Sequence, residues 1–268
     1  MITIGCDPEL FLTKNGKFHS AYGLIPGTKK NPFKVNEGAI QVDGMALEFN
    51  IDPAASREQF LIRINRVMAE LRRRIPSDFN MTIVPVAHFE ATHMAEQPGE
   101  AIELGCDPDF NAYTGDPNPR PDGNGLARTA AGHIHIGWTA DKNVNDEQHF
   151  NNCRALVQEL DATLGLYSLN HDQDNERREL YGQPGAFRPK SYGLEYRVPS
   201  NFWLRDEQFT NWMYSWSLSV TGNWLNMKKG DKGYRKWFMD SYGMTPEVAM
   251  LENNRSLAHT WVNTFSRR

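Results

Sequence analysis

The sequence predicts an α+β fold in which helices pack on one face of a largely antiparallel sheet and a polar face lies opposite. Three observations carry that prediction. Short segments such as Gly132-His133-Ile134-His135-Ile136-Gly137 and Leu194-Glu195-Tyr196-Arg197-Val198 alternate apolar and polar residues. That period of two sends successive strand side chains to opposite faces. Other stretches repeat apolar residues at helical spacing, and no linker-like composition divides the chain, so residues 1–268 read as one domain.

Taken in order, residues 1–13 read as a strand ending in a Lys14-Asn15-Gly16-Lys17 turn. Residues 21–38, rich in Gly, Pro and Lys, read as an irregular excursion, and 39–51 return to a strand that Gly44 lets bend. Ser56-Arg57-Glu58-Gln59 has capping-box form and opens a helix with Phe60, Ile64, Val67, Leu71 and Ile75 on one side. Arg72, Arg73 and Arg74 suit the negative end of its dipole as a solvated helix end. Residues 81–89 predict another strand, and 105–130 a long loop rich in Asp, Asn, Pro and Gly. The His133–His135 strand follows. A helix is expected over 146–164, striped by Phe150, Cys153, Val157, Leu160 and Leu164 and capped at Gly165. Residues 167–190 are polar and arginine-rich and lead into the Glu195–Arg197 strand. A third helix runs over 206–226, with Phe209, Trp212, Met213, Trp216, Val220 and Trp224 as its core side, and the remainder is helical and polar.

The net charge of −4 over 268 residues argues against a mainly electrostatic nucleic-acid binder. No apolar run approaches the roughly 20 residues that span a bilayer. The start, Met1-Ile2-Thr3-Ile4-Gly5, enters a strand pattern with no signal-peptide character. Three scattered cysteines, Cys6, Cys106 and Cys153, suggest neither a disulfide framework nor a zinc knuckle. A cytoplasmic location is expected, with no nucleic-acid or membrane partner.

The chemistry-bearing residues fall on the polar face of the predicted strands. His133 and His135 share one face, as do Glu195 and Arg197. The flanking glycines, Gly132 and Gly137, leave room for a bulky ligand to approach the backbone. Asp7, Glu9, Asp43, Glu48 and Glu195 are each embedded in apolar strand sequence. Burying a carboxylate is costly unless it is paired or binds a cation, and several on one face repel one another. Hard oxygen ligands with one or two imidazoles suit magnesium or manganese better than zinc. Arg177, Arg178, Arg188, Lys190 and Arg197 supply cations for phosphate oxygens, and metal plus arginine points to phosphoryl chemistry. There is no P-loop and no Rossmann glycine motif. Nothing assigns Cys6 or Cys106 a histidine partner for nucleophilic catalysis. A metal-dependent hydrolase using His133, His135 and Glu195, or a non-catalytic nucleotide binder, is also compatible with these residues.

Together, Gly5-Cys6-Asp7-Pro8-Glu9, Val42-Asp43 through Glu48-Phe49-Asn50, Gly105-Cys106-Asp107-Pro108-Asp109, Gly132-His133-Ile134-His135, Tyr181-Gly182-Gln183-Pro184-Gly185-Ala186-Phe187-Arg188-Pro189-Lys190 and Glu195-Tyr196-Arg197 resemble the carboxylate–amine ligases encoded by tailed phages. That family lies in the glutamine synthetase and glutamate–cysteine ligase superfamily. The resemblance covers most of residues 1–205. It implies a curved antiparallel sheet like the glutamine synthetase catalytic domain, and an ATP-dependent ligase that forms an amide through an acyl phosphate. On that basis Asp7, Glu9, Glu48, His133 and Glu195 would hold Mg2+ or Mn2+, and His135, Arg188, Lys190 and Arg197 would face ATP, joined by Arg177 and Arg178 on the strength of their charge. Arg197 and Arg188 would steady the transferred phosphoryl group, and Asp43 or Asp109 would take the amine's proton. The substrates implied are a small-molecule or peptide carboxylate and an amine. Two departures stand out: Asp7 occupies the place of the usual first Glu, and the chain has no obvious separate amino-terminal domain.

Overall fold

The computed structural model describes residues 1–103, 109–119, 125–172 and 175–265. The Gly105–Pro108 part of the motif above, with Cys106, lies outside these residues. Among the described residues there are twelve strands: β1 (Thr3–Lys14), β2 (Lys17–His19), β3 (Phe33–Val35), β4 (Gly38–Asp43), β5 (Ala46–Ile51), β6 (Asn80–Thr82), β7 (Val86–His88), β8 (Phe110–Asn111), β9 (Ala127–Thr129), β10 (Gly132–Gly137), β11 (Ala186–Lys190) and β12 (Gly193–Tyr196). The helices are α1 (Arg57–Arg74), α2 (Ala91–Ala95), α3 (Gly99–Ile102), α4 (Glu147–Leu160), α5 (Leu166–His171), α6 (Asn175–Leu180), α7 (Glu207–Asn226), α8 (Tyr234–Tyr242), α9 (Pro246–Leu251) and α10 (Arg255–Phe265).

The main sheet runs β3-β4-β5-β1-β10-β12-β11-β8, with β2 and β6 paired to the far end of β1. Its named strand pairings are antiparallel. β7 and β9 form a separate two-stranded ribbon. The chain is thus a mixed helix and antiparallel-sheet fold.

Alternation decides which face is which. Ile4, Cys6 and Leu10 of β1, Leu47 and Phe49 of β5, Ile134 and Ile136 of β10, and Leu194 and Tyr196 of β12 are buried in one apolar core. Against them pack Phe60, Ile64, Val67 and Leu71 of α1, Cys153, Leu156, Val157 and Leu160 of α4, and Met213 and Val220 of α7. Fully burying one such side chain contributes about 2 kcal/mol, so this face holds the sheet against its helices. Ser56 caps α1 by accepting the Gln59 amide at 3.2 Å, while Gln59 Oε1 accepts the Ala55 amide at 3.0 Å. The opposite sheet face carries a smaller cluster, Phe11, Met45, Phe89, Met94 and Ala101, beneath α2 and α3.

Several elements differ from expectation. Residues 39–51 are a hairpin, not one bent strand: Asp43 pairs with Ala46 across a turn at Gly44, whose φ is +56°. The excursion over 21–38 contains β3, and 81–89 splits into β6 and β7 around Pro85, which cannot donate to a ladder. The loop over 105–130 contributes β8 and β9. The second long helix does not stop at Gly165. It passes through a π-helical turn at Asp161–Gly165 into α5, and a Cβ at Gly165 would meet Met250 and the Tyr196 hydroxyl within 3.0 Å. On α7 the buried residues are Thr210, Met213, Tyr214, Ser217, Val220 and Thr221; Trp212, Trp216 and Trp224 lie half-buried along the flank. Helices are not confined to one face, because α3 and α6 border the polar side.

Candidate functional site

Backbone register places the polar side chains in one cross-strand row. Asp7 sits opposite His133, His135 opposite Glu195, and Glu195 opposite Arg188. On the other side of β1, Glu9 pairs with Glu48 and Glu48 with Gln41. Some of these partners are hairpin neighbours and others lie far apart in sequence, yet the pleat aims all of them at the same face.

At the centre, Asp7 Oδ1 lies 3.3 Å from His133 Nδ1 and 3.0 Å from His135 Nε2, and Glu195 Oε1 is 3.5 Å from His133 Nδ1. Asp7, His133 and Glu195 offer one ligand atom each, all within 4.8 Å of one another. Asp7 Oδ1 is buried with no hydrogen-bond partner. Two carboxylate oxygens and an imidazole nitrogen, one oxygen without a donor, fit a hard divalent cation. Burial pushes the Asp7 carboxyl up, but the His135 and His133 imidazoles outweigh it and hold it well below its ordinary range. Burial and the neighbouring Arg197 depress His133 to about 4, so its imidazole is neutral at pH 7, as a metal ligand must be.

A second acidic group adjoins the first. Glu9 Oε2 accepts the Ala131 amide at 2.7 Å, and Glu48 Oε2 accepts Gln41 Nε2 at 2.6 Å. Burial, with Asp43 nearby, raises Glu9 to about 8, and burial with Asp7 and Asp43 raises Glu48 well above its usual range. Such carboxyls return to the ionised form when a cation enters between them. Asp43 Oδ2 lies 3.1 Å from Lys29 Nζ at the edge of this group.

The basic residues converge on Glu195, whose side chain is 1% exposed. Lys190 Nζ is 2.7 Å and Arg188 NH1 3.3 Å from Glu195 Oε2, and Arg197 NH1 donates to Oε1. Arg197 Nε donates to Asp109 Oδ2 at 2.9 Å. Asp109 therefore orients this guanidinium.

Arg177 and Arg178 require a correction, because neither lines the cavities on this face. Arg177 is fully buried and donates to three backbone carbonyls, Ala130 at 3.1 Å, Val198 at 2.9 Å and Pro199 at 3.0 Å. Burial lowers it to about 10. Arg178 lies 3.1 Å from Ser168 Oγ and 3.6 Å from Asp172 Oδ2. Both serve the scaffold. The flanking glycines are also structural: a Cβ at Gly132 would fall 2.3 Å from the Ser200 carbonyl, and one at Gly137 2.5 Å from Thr3 Oγ1. The buried Cys6 and Cys153 thiols are raised by burial, Cys153 to about 12, which leaves them unreactive.

Four contributors escaped the sequence reading. Tyr181 OH lies 3.2 Å from His133 Nε2, and its ring underlies the Arg197 guanidinium at 5.2 Å. In the tautomer that frees His133 Nδ1 for a cation, Nε2 carries the proton and donates to the Tyr181 oxygen. Tyr192 OH meets His135 Nδ1. Lys29 reaches in from the irregular excursion, and Arg128 comes from β9. Tyr181 stands in a quoted motif and had no assigned role; Tyr192, Lys29 and Arg128 carry no spacing signal at all.

Two cavities flank the row and share Asp7, Lys29, Glu48 and Arg188. One, of about 440 Å³, extends toward Glu9, Asp43 and Arg197 under β7, β9, α3 and α6. The other, of about 460 Å³, extends toward His135, Lys190, Tyr192 and Gln41. Both are of ligand size. No helix among the described residues is long and apolar enough to cross a membrane.

Residues 129–242 match the family model for phage phiEco32-like COOH.NH2 ligase-type 2. The match includes β10, β11 and β12, which carry His133, His135, Arg188, Lys190 and Glu195, and Arg197 directly after β12. No curated protein matches the chain.

Proposed function

Over residues 129–242 the chain belongs to the phage carboxylate–amine ligase family, and on that premise we propose that it is an ATP- and magnesium-dependent ligase joining a carboxylate to an amine through an acyl phosphate. The observation that carries this reading is the cross-strand row itself. A cation-ready Asp7–His133–Glu195 cluster shares its sheet face with Arg188, Lys190 and Arg197. A hydrolase needs a few ligands and one water, not three convergent cations beside a second acidic group.

In this reading Asp7, His133 and Glu195 hold one divalent ion, and Glu9 and Glu48 face a second. The ions would neutralise phosphate charge so that a carboxylate could approach phosphorus. The nucleotide takes the cavity lined by His135, Lys190 and Tyr192, where lysine and arginine can meet its phosphates. The carboxylate and amine take the cavity beyond Glu9. Arg197, fixed by Asp109 and Glu195, and Arg188 stabilise the phosphoryl group as it moves. Asp43, at the rim of the acceptor cavity, accepts the amine's proton as the amide forms. The reading places the chain in the cytoplasm of the cell that makes it, with small-molecule or peptide substrates.

The test is magnesium-dependent ADP release that requires both a carboxylate and an amine, together with a product whose mass equals the two less water. Glu195→Ala and Arg197→Ala should abolish it. Amide hydrolysis without ATP, or no binding of Mg·ATP at millimolar levels, would overturn the proposal.

A further inference from the structure

The helical side of the sheet carries a cavity that the ligase chemistry leaves unused. It lies between α4, α7 and α8, has a volume of about 410 Å³, and shares no lining residue with the two cavities of the polar face. Trp216, Trp224, Tyr234 and Trp237 line it, each half-buried. Trp216 meets Tyr234 nearly edge-to-face at 6.1 Å and 73°, and Trp224 meets Trp138 likewise at 5.7 Å and 74°, so neither pair stacks flat across the opening. Glu159, 8% exposed, is the acidic group in its wall. Its Oε2 accepts the Arg235 amide at 3.2 Å, and a Cβ at Gly233 would fall 2.4 Å from Oε1, so this carboxylate is committed to the start of α8.

The rim has the opposite charge from the chain as a whole. Residues 227–237 hold Lys228, Lys229, Lys232, Arg235 and Lys236 against one carboxylate, Asp231, in a chain of net charge −4. The overall charge argues against a nucleic-acid partner, but it averages over this segment. Asp231 Oδ2 accepts the Lys228 amide at 2.7 Å, and Asp240 takes Lys232 at 2.6 Å together with Lys236. Lys228 and Lys229 are exposed and have no acidic side-chain partner among the described residues. Lying just past α7, those two suit its dipole. Lys232, Arg235 and Lys236 instead crowd the start of α8, where cations oppose the dipole, so helix energetics do not account for them. A positive rim around aromatic rings fits an anion that carries flat, unpaired π-faces. A flat bilayer surface would leave the concave cavity, with its carboxylate, unfilled.

We propose that this α7–α8 face binds single-stranded nucleic acid: one base enters the cavity among Trp216, Trp224, Tyr234 and Trp237, and the flanking phosphates meet Lys228, Lys229 and Lys232. The site stands apart from the ligase reading, since none of these residues belongs to the polar face.

The test is fluorescence anisotropy of the full chain with short mixed-sequence strands, as RNA and as DNA, at low salt. At least one should bind, with a salt slope of roughly −2 for three phosphate contacts at about −0.7 each. The matching duplex should bind more weakly. An abasic strand of the same length should lose roughly 5- to 100-fold in affinity, as expected for one lost stacked base. Trp216→Leu should show the same loss, and the exposed pair Lys228→Glu with Lys229→Glu should flatten the slope by about 1.4 or more. Saturating Mg·ATP should not displace the strand. No binding of either strand at about 100 µM would overturn the proposal. So would equal affinity for the abasic strand or the duplex, displacement by Mg·ATP, or binding that the two lysine exchanges leave intact. Binding to phosphatidylserine vesicles with none to either strand would assign the face to a membrane instead. The strand, duplex and vesicle comparisons use the unaltered protein, so they decide the matter even if a variant fails to fold.

Discussion

Replacing Tyr181 by Phe removes one hydroxyl from a half-buried position and tests whether the Asp7–His133–Glu195 cluster binds a cation. The hydroxyl lies 3.2 Å from His133 Nε2, and the same imidazole presents Nδ1 to Asp7 at 3.3 Å and to Glu195 at 3.5 Å. Without it a buried N–H loses its acceptor, at a cost of about 1–3 kcal/mol. That range matches the roughly 10- to 100-fold loss of affinity typical when a ligating histidine loses the partner that orients it, at about 1.4 kcal/mol per tenfold. Scaffold losses should be small, because the Phe ring can stay beneath Arg197 and Arg177, whose guanidinium carbons lie 5.2 and 5.7 Å from the ring centre. Manganese titration by calorimetry, or by loss of the free-ion EPR signal, should show the weakened affinity with little change in melting temperature. If Tyr181→Phe bound manganese within twofold of the unaltered protein while melting several degrees lower, Tyr181 would be a packing residue and its link to a metal would be wrong.

Other consequences are equally open to measurement. Glu195→Gln should weaken manganese binding by more than roughly 100-fold, since it removes a direct ligand rather than its support; retained binding in the same titration would exclude Glu195 from the metal set. Arg177→Met should leave the Ala130 and Val198 carbonyls without their arginine donors, while Pro199 keeps the Gly132 amide at 3.0 Å, and should cost about 3 kcal/mol, a drop of roughly 6–12 °C in melting temperature. A stable variant that had lost only nucleotide affinity would restore the nucleotide role expected from sequence. Asp161, fully buried in the π-helical turn, accepts the Tyr196 hydroxyl at 2.6 Å and the Gly185 amide at 2.7 Å, and burial raises its carboxyl from 3.8 to about 7. A folded value raised above the unfolded one means stability that is complete below about pH 4 and lost as pH rises through 7. The change is on the order of 4 kcal/mol. Denaturant unfolding from pH 4 to 8 should show that loss against Asp161→Asn, which carries a pH-independent offset instead; parallel curves for the two proteins would refute the assignment.

The reach of the sequence differs between elements for identifiable reasons. The capping box at Ser56 and the stripe from Phe60 to Leu71 located α1, because helix formation there follows local spacing and a local cap. The single strand read over 39–51 became a hairpin because a tight turn at Gly44 lets Gln41 and Glu48 pair. The aromatic stripe of α7 marks its core side by spacing, but Trp212, Trp216 and Trp224 pack only partly buried against the core while the smaller Thr210, Ser217 and Thr221 are buried. Arg177 and Arg178 looked like phosphate ligands because arginine is common in that role. Only the carbonyls of Ala130, Val198 and Pro199, brought together by two separate segments, reveal what Arg177 does.

By itself the sequence determined the alternation that puts Asp7, Glu9, Glu48, His133, His135, Glu195 and Arg197 on polar faces of strands, since a period of two is a property of each strand alone. The tertiary structure decided which of those strands are neighbours and in what register. That choice sets Asp7 against His133 and Glu195 between His135 and Arg188. It also brought in Tyr181 and Lys29, whose parts in the site come from distance rather than spacing, because a loop residue approaches the sheet only after the packing of other elements has carried it there.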